Sequence, residues 1–225
     1  MTSSEFGRHT VHGIGSAIVA VLLAVTCQAQ PQSIQTVSTR AVADATETAV
    51  NTWGAMPNAN LKSLGIDAPT SDGMALDGGL ALFWLSMQDA ADIANGKFLE
   101  DVALDNNSEV MFAILNRDRQ GTGILGFSRA GREWQQDRLG QPALARALIN
   151  VRTDDAKRTG TDPKSYFAVE IPAVRKIYLG RGEREKAMLI PLENDLKVKV
   201  SRGEAMPVQT VMKNLVTAYP TVPKG

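Results

Sequence analysis

The sequence predicts an α+β fold: a mostly antiparallel sheet in the C-terminal half, with helices packed on one face, after a cleaved N-terminal signal peptide. Three observations point there. A short apolar run sits between polar flanks at the N-terminus, β-rich segments recur from residue 109 onward, and an amphipathic helix closes the chain. The 225 residues are 44% hydrophobic and 21% charged, an ordinary soluble composition. The expected organisation is a signal peptide over 1–29, a polar leader with a helix and loop over 30–79, and one α+β domain over 80–225.

Residues 1–13 are polar and include Arg8. Residues 14–25 (IGSAIVAVLLAV) are almost wholly apolar, and Ala29 supplies a small residue just beyond. That is the order of a secretory signal. The run is shorter than the roughly 20 apolar residues a bilayer-spanning helix needs. Cleavage after Ala29 places the protein outside the cytoplasm, periplasmic or secreted. A rival reading makes Cys27 a lipidated N-terminus, although Thr26 fits such a signal poorly. Membrane contact is expected only through the signal peptide or a lipid on Cys27.

Export narrows the chemistry. The two histidines, His9 and His12, and the one cysteine, Cys27, all precede the cleavage position. The mature chain then lacks the imidazole that activates most serine and cysteine nucleophiles. It also lacks the usual zinc, haem and iron–sulfur ligands. No cofactor or metal is expected. Carboxylate acid/base work, a Ser–Lys pair, or binding without chemistry remain.

Along the mature chain, Val42, Ala45, Ala49 and Trp53 recur at helical spacing, so a helix is expected over 38–53. The Gly-, Pro- and Asn-rich stretch 54–79 reads as loop. LALFWL (80–85) reads as a buried strand. SMQDAADIANG follows as a helix with Ser86 as N-cap, Asp89 three positions on, and Gly96 at its end. EVMFAIL (109–115) and ILGFS (124–128) form a hairpin with a long loop. PALARALI (142–149) is a helix with Pro142 in its first turn, and 153–165 is a charged loop. Strands are expected at 166–171, 176–179 and 187–192, the last ending at Pro191 or lying at an edge. LKVKV (196–200) alternates strictly, which places Leu196, Val198 and Val200 inward. Val208, Val211, Met212, Leu215, Val216 and Tyr219 line one face of a last helix, started at Pro207, stopped by Pro220 and expected to face the core.

Several motifs invite function. GTGILG (Gly121, Gly123, Gly126) spells a dinucleotide fingerprint, but five residues separate it from the preceding strand. A hairpin turn needing positive φ is the better reading. Asp67, Asp72 and Asp77, and the string Asp105 to Glu109, are oxygen-rich without the spacing of a calcium loop. Lys164 and Ser165 are adjacent, as are Asp154 and Asp155, which turns such neighbours apart on most backbones.

Arg117, Arg119, Arg129 and Arg132 gather around the hairpin, with Trp134 close behind. Guanidinium groups bind carboxylate and phosphate through paired donors, so these four are the candidate ligand-binding residues. Asp118, Glu133 and Asp137 offer the alternative of surface ion pairs worth about 0–1 kcal/mol each. Twenty-four basic and 24 acidic residues cancel, so no global field recruits nucleic acid. The charge is uneven, though: net −8 over 30–110 and net +8 over 111–225. An anionic protein or ligand is the expected partner of the basic half. The function expected is an exported, non-catalytic binding or assembly protein. The alternatives are an extracytoplasmic carboxylate-dependent hydrolase and a membrane-tethered lipoprotein chaperone or inhibitor.

Overall fold

The computed structural model of the protein describes residues 33–56, 75–104 and 107–220, leaving aside the side chains of 107 and 108. The proposed signal, Cys27, Asp67, Asp72 and Asp105 lie outside them. The chain divides after Pro31, and all the described residues belong to the second unit. Among them, no helix is long and apolar enough to cross a membrane.

The first helix, α1, spans Ile34–Ala55. The Ser33 side chain accepts the Thr36 backbone N–H at 3.2 Å, satisfying one orphan donor. Ala41, Ala45 and Ala49 are buried, so α1 lies close on what it covers. Helix α2, Met87–Ala94, starts with a reciprocal capping box. Ser86 Oγ accepts from Asp89 N at 3.1 Å, and Asp89 accepts from Ser86 N at 2.8 Å. Gly96, at φ +108, follows its end. A single turn, α3, covers Glu100–Ala103. Helix α4 spans Pro142–Thr159 and α5 spans Val208–Ala218.

Nine strands make one sheet. They are β1 (Ala75–Leu76), β2 (Leu80–Trp84), β3 (Asn107–Leu115), β4 (Gly121–Ala130), β5 (Glu133–Gly140), β6 (Phe167–Ile171), β7 (Lys176–Arg181), β8 (Met188–Pro191) and β9 (Met206–Pro207). Their order is β5-β4-β3-β2-β6-β7-β8-β9, with β1 paired to β3. Every pairing is antiparallel except β2 with β6. The α+β class and the mostly antiparallel sheet are as expected, and so are the 109–128 hairpin, the Ser86 capping box and the core-facing last helix, in which Val208, Val211, Met212 and Leu215 are buried.

Helices on one face is not what the chain builds. Along β2, Ala81 and Phe83 join the core under α1, α2 and α5, while Leu80 and Leu82 join a second core under α4. The same alternation divides β3, β6 and β7 between the two cores. Both faces are therefore dry and both need a cover. Helix α4 supplies the second cover through Ala145, Leu148 and Val151.

Three further expectations change. Helix 142–149 continues to Thr159, because Arg152 and Asp155 turn inward to ion-pair partners while Asp154 and Lys157 face water. Gly160, at φ +72, closes it where a charged loop was expected. Residues 196–200 form a turn rather than a strand. The Asp195 carboxylate accepts the N–H groups of Lys197 (2.9 Å) and Val198 (3.1 Å), Lys199 takes φ +57, and Leu196 is 93% exposed. Val198 and Val200 are buried as expected. Finally, the glycines of GTGILG do not take positive φ. The positive-φ residue of that loop is Arg119. Gly121 is there for proximity, since a Cβ would lie 2.6 Å from the Ala145 carbonyl carbon and 2.7 Å from its oxygen.

Strand β5 is not announced by the sequence pattern. Half of its residues EWQQDRLG are exposed, as suits an edge.

Gly121→Ala is expected to lower stability by about 1–3 kcal/mol, because the added methyl meets helix backbone that cannot rotate away. Gly54→Ala, which meets nothing within 4 Å on α1, is the matched control and should be neutral or slightly stabilising. Thermal melts of the two variants check this.

Candidate functional site

The four arginines do not form one group. Arg117 and Arg119 lie in the 116–120 loop between β3 and β4, whereas Arg129 lies next to the end of β4 and Arg132 sits in the turn to β5. Ten residues of strand at about 3.3 Å each separate the pairs by roughly 30 Å. At the far end, the Arg129 guanidinium lies over the Trp134 ring, 5.6 Å from its centroid. That contact occupies it as a cation–π partner.

The near end is different. The 116–120 loop, the outer flank of α4 and the turn at Arg202–Gly203 enclose a cavity of about 690 Å³. Arg119, Lys157, Arg158 and Arg202 line it together with Asp118 and Asp154, while Asp77, Arg152 and Asp155 form its deeper wall.

The deep charges are neutralised within the protein. The Arg152 side chain is 8% exposed and pairs with Asp77. Burial holds its guanidinium below the usual range. Asp155, with a side chain 1% exposed, pairs with Arg158 and accepts the Arg181 Nε–H at 2.6 Å and the Tyr166 hydroxyl at 2.8 Å. Burial, and then the Asp155 carboxylate, push the Tyr166 phenol upward. With those pairs set aside, the exposed rim keeps Arg119, Lys157 and Arg202 against Asp118 and Asp154. A rim of exposed cations over a fixed, self-neutralised floor suits an anionic group better than a cation.

A second polar cluster lies on the same face of the sheet, where the strands run out from under α4. Arg138 on β5 binds Glu109 on β3 (Nε to Oε1, 3.0 Å) and Glu170 on β6 (3.1 Å). Four strand intervals separate β5 from β6, about 19 Å in a flat sheet. An arginine and a glutamate side chain cannot bridge that distance, so the sheet curls and this face is concave. Gly126 helps, since a Cβ there would lie 2.6 Å from the Arg138 Cβ and block its path over β4. Burial pushes the Glu109 carboxyl up to about 7 against the pull of Arg138, with Asp137 and Glu170 adding repulsion. The neighbouring Trp84 side chain works weakly against that rise.

Sequence reasoning passed over this pair. The signal was present: Glu109 opens the apolar run EVMFAIL, and Glu170 interrupts YFAVEI. A carboxylate inside an apolar strand needs a partner.

The remaining candidates are placed as follows. Asp77 is held by Arg152, and Asp154 and Asp155 point apart, one exposed and one buried. The Ser165 hydroxyl donates to the Asp162 carbonyl at 2.7 Å, which closes a short turn. Among the described residues, no three acidic, histidine or cysteine side chains converge on a metal position. No protein-family model, curated protein or solved structure matches the chain.

Glu109 makes stability pH-dependent. Its carboxyl rises from an ordinary 4.5 to about 7 on folding, so the native state binds the extra proton between those values. Stability from this group is full below pH 4.5 and is lost as pH rises through about 7. Glu109→Gln should flatten that loss, which amounts to roughly 3 kcal/mol at most. Urea denaturation of both chains at pH 5 and pH 8 checks it, and parallel profiles would refute the assignment.

Proposed function

We propose that the protein is an exported binding or assembly protein, without chemistry of its own, that holds an anionic protein or ligand at the cavity between the 116–120 loop, α4 and Arg202. The observation that supports it best is the rim: Arg119, Lys157 and Arg202 stand exposed around a cavity of about 690 Å³ whose inner charges already have partners. Of the four arginines around the hairpin, this reading keeps Arg119, with Arg117 beside it in the loop. The apolar run at 14–25 and the absence of histidine and cysteine after Cys27 support export and binding rather than catalysis.

A carboxylate-dependent hydrolase is the second reading, and Glu109 favours it, since a carboxyl titrating near 7 suits a general acid. Two features weigh against it. The Glu109 side chain is 2% exposed, and Arg138 grips both carboxylates. A tethered lipoprotein chaperone or inhibitor is the third reading. Mass spectrometry of the mature N-terminus separates it, by a lipid on Cys27 or a start after Ala29.

Binding is tested by affinity capture from the extracytoplasmic fraction, with the tagged wild-type chain beside Arg119→Glu/Arg202→Glu. The expected outcome is an anionic partner recovered by the first and weakened about tenfold or more for the second. Equal recovery by both chains, or turnover of a glycan or ester panel, would overturn the proposal.

A further inference from the structure

The concave end of the sheet that α4 leaves open shows a combination of groups unrelated to the anion-binding rim. We propose that this strip, built on Trp84 with Glu170 and Arg138, is a platform for a neutral saccharide ring.

Trp84 is 41% exposed, an unusual position for the largest apolar side chain at the end of an otherwise buried strand. Glu170 is the register partner of Trp84 across the parallel β2–β6 pair, which puts the two side chains side by side on one face. Arg138 arrives from the opposite wall of the curl. Its side chain is 16% exposed and that of Glu170 is 18% exposed, so both reach the surface. A guanidinium has five donors and a carboxylate about four acceptor sites. The Arg138 bonds to Glu109 and Glu170 leave donors and acceptors over.

A pyranose ring has an apolar C–H face and a rim of hydroxyls that both donate and accept. The strip offers the complement: a flat aromatic surface, acceptors on Glu170 and donors on Arg138, within a concave wall. A cationic ligand would meet the Arg138 charge, and an anionic one would meet Glu170 and Glu109. A neutral polyol avoids both repulsions. The ring stack and the flanking hydrogen bonds together set the affinity.

Isothermal titration of the full chain with cellotetraose, chitotetraose, maltotetraose and xylotetraose tests the platform. At least one should bind at concentrations below about 10 mM. Trp84→Ala should weaken that binding about tenfold, and Trp84→Phe, which keeps a ring face, less than about threefold. If the alanine chain does not fold, Trp84→Leu replaces it as the variant without a ring. Binding should be unchanged between about 0.05 M and about 0.5 M salt, because no ligand charge is engaged. The proposal is overturned if none of the four binds, if binding persists in the variant without a ring, or if it fades with salt. None of these readouts involves Arg119 or Arg202, so the fate of the anion site is decided separately.

Discussion

The central strands carry apolar side chains on both faces, and much of the molecule follows from the need to keep both out of water. On β2, residues 80 to 83 are all buried, with alternate side chains entering different cores. One layer, made by α1, α2 and α5, cannot satisfy that strand. The chain answers with α4, laid across the other face on Gly121, where the strand backbone touches the helix backbone. The cavity is a consequence. Once α4 is seated, its C-terminal half stands beside the 116–120 loop, and their polar flanks enclose space. The helices of the acidic half, joined by α5 from the basic half, cover one face, and α4 covers the other.

Where α4 stops, the same face turns polar, and the sheet curls enough for Arg138 to reach β6. Burying such a triad brings little net stability, because desolvation offsets attraction, but removing one partner costs about 3–5 kcal/mol. The pattern repeats around the cavity, where Arg152 holds Asp77, and Arg158 and Arg181 hold Asp155. These pairs fix strand and helix positions more than they stabilise them. The Glu100 carboxylate is held differently. It accepts the Arg184 backbone N–H at 2.7 Å and ties the loop after β7 to α3.

Much of the fold was legible because its signals are local. The Ser86–Asp89 box, the stripe from Val208 to Leu215, and the β-rich flanks of the 116–120 loop each state their structure within a dozen residues. The two-faced sheet was also written, in the unbroken run LALFWL, since a strand covered on one side alternates and this one does not. Other features were hidden for physical reasons. LKVKV has the period of a strand, yet the Asp195 side chain captures two backbone N–H groups and makes a turn first. Helix α4 outruns its apolar pattern because its last inward residues are Arg152 and Asp155, which count as polar until their partners are known. The arginines share a hairpin in sequence, but a ten-residue strand holds the two pairs apart. Glu109, Arg138 and Glu170 meet only through the curl, which no local pattern encodes.

The clamped carboxylates bear on function through what an arginine cannot do. Asp77, Asp155, Glu109 and Glu170 each face a guanidinium. A guanidinium stays charged throughout the range in which proteins work, so it stabilises a carboxylate without exchanging a proton with it. An imidazole in the same place would relay protons, but the chain after Cys27 contains none. The binding role proposed above asks for no such proton relay. The two surfaces differ in what they present: exposed cations at one, and an aromatic face beside paired charges at the other.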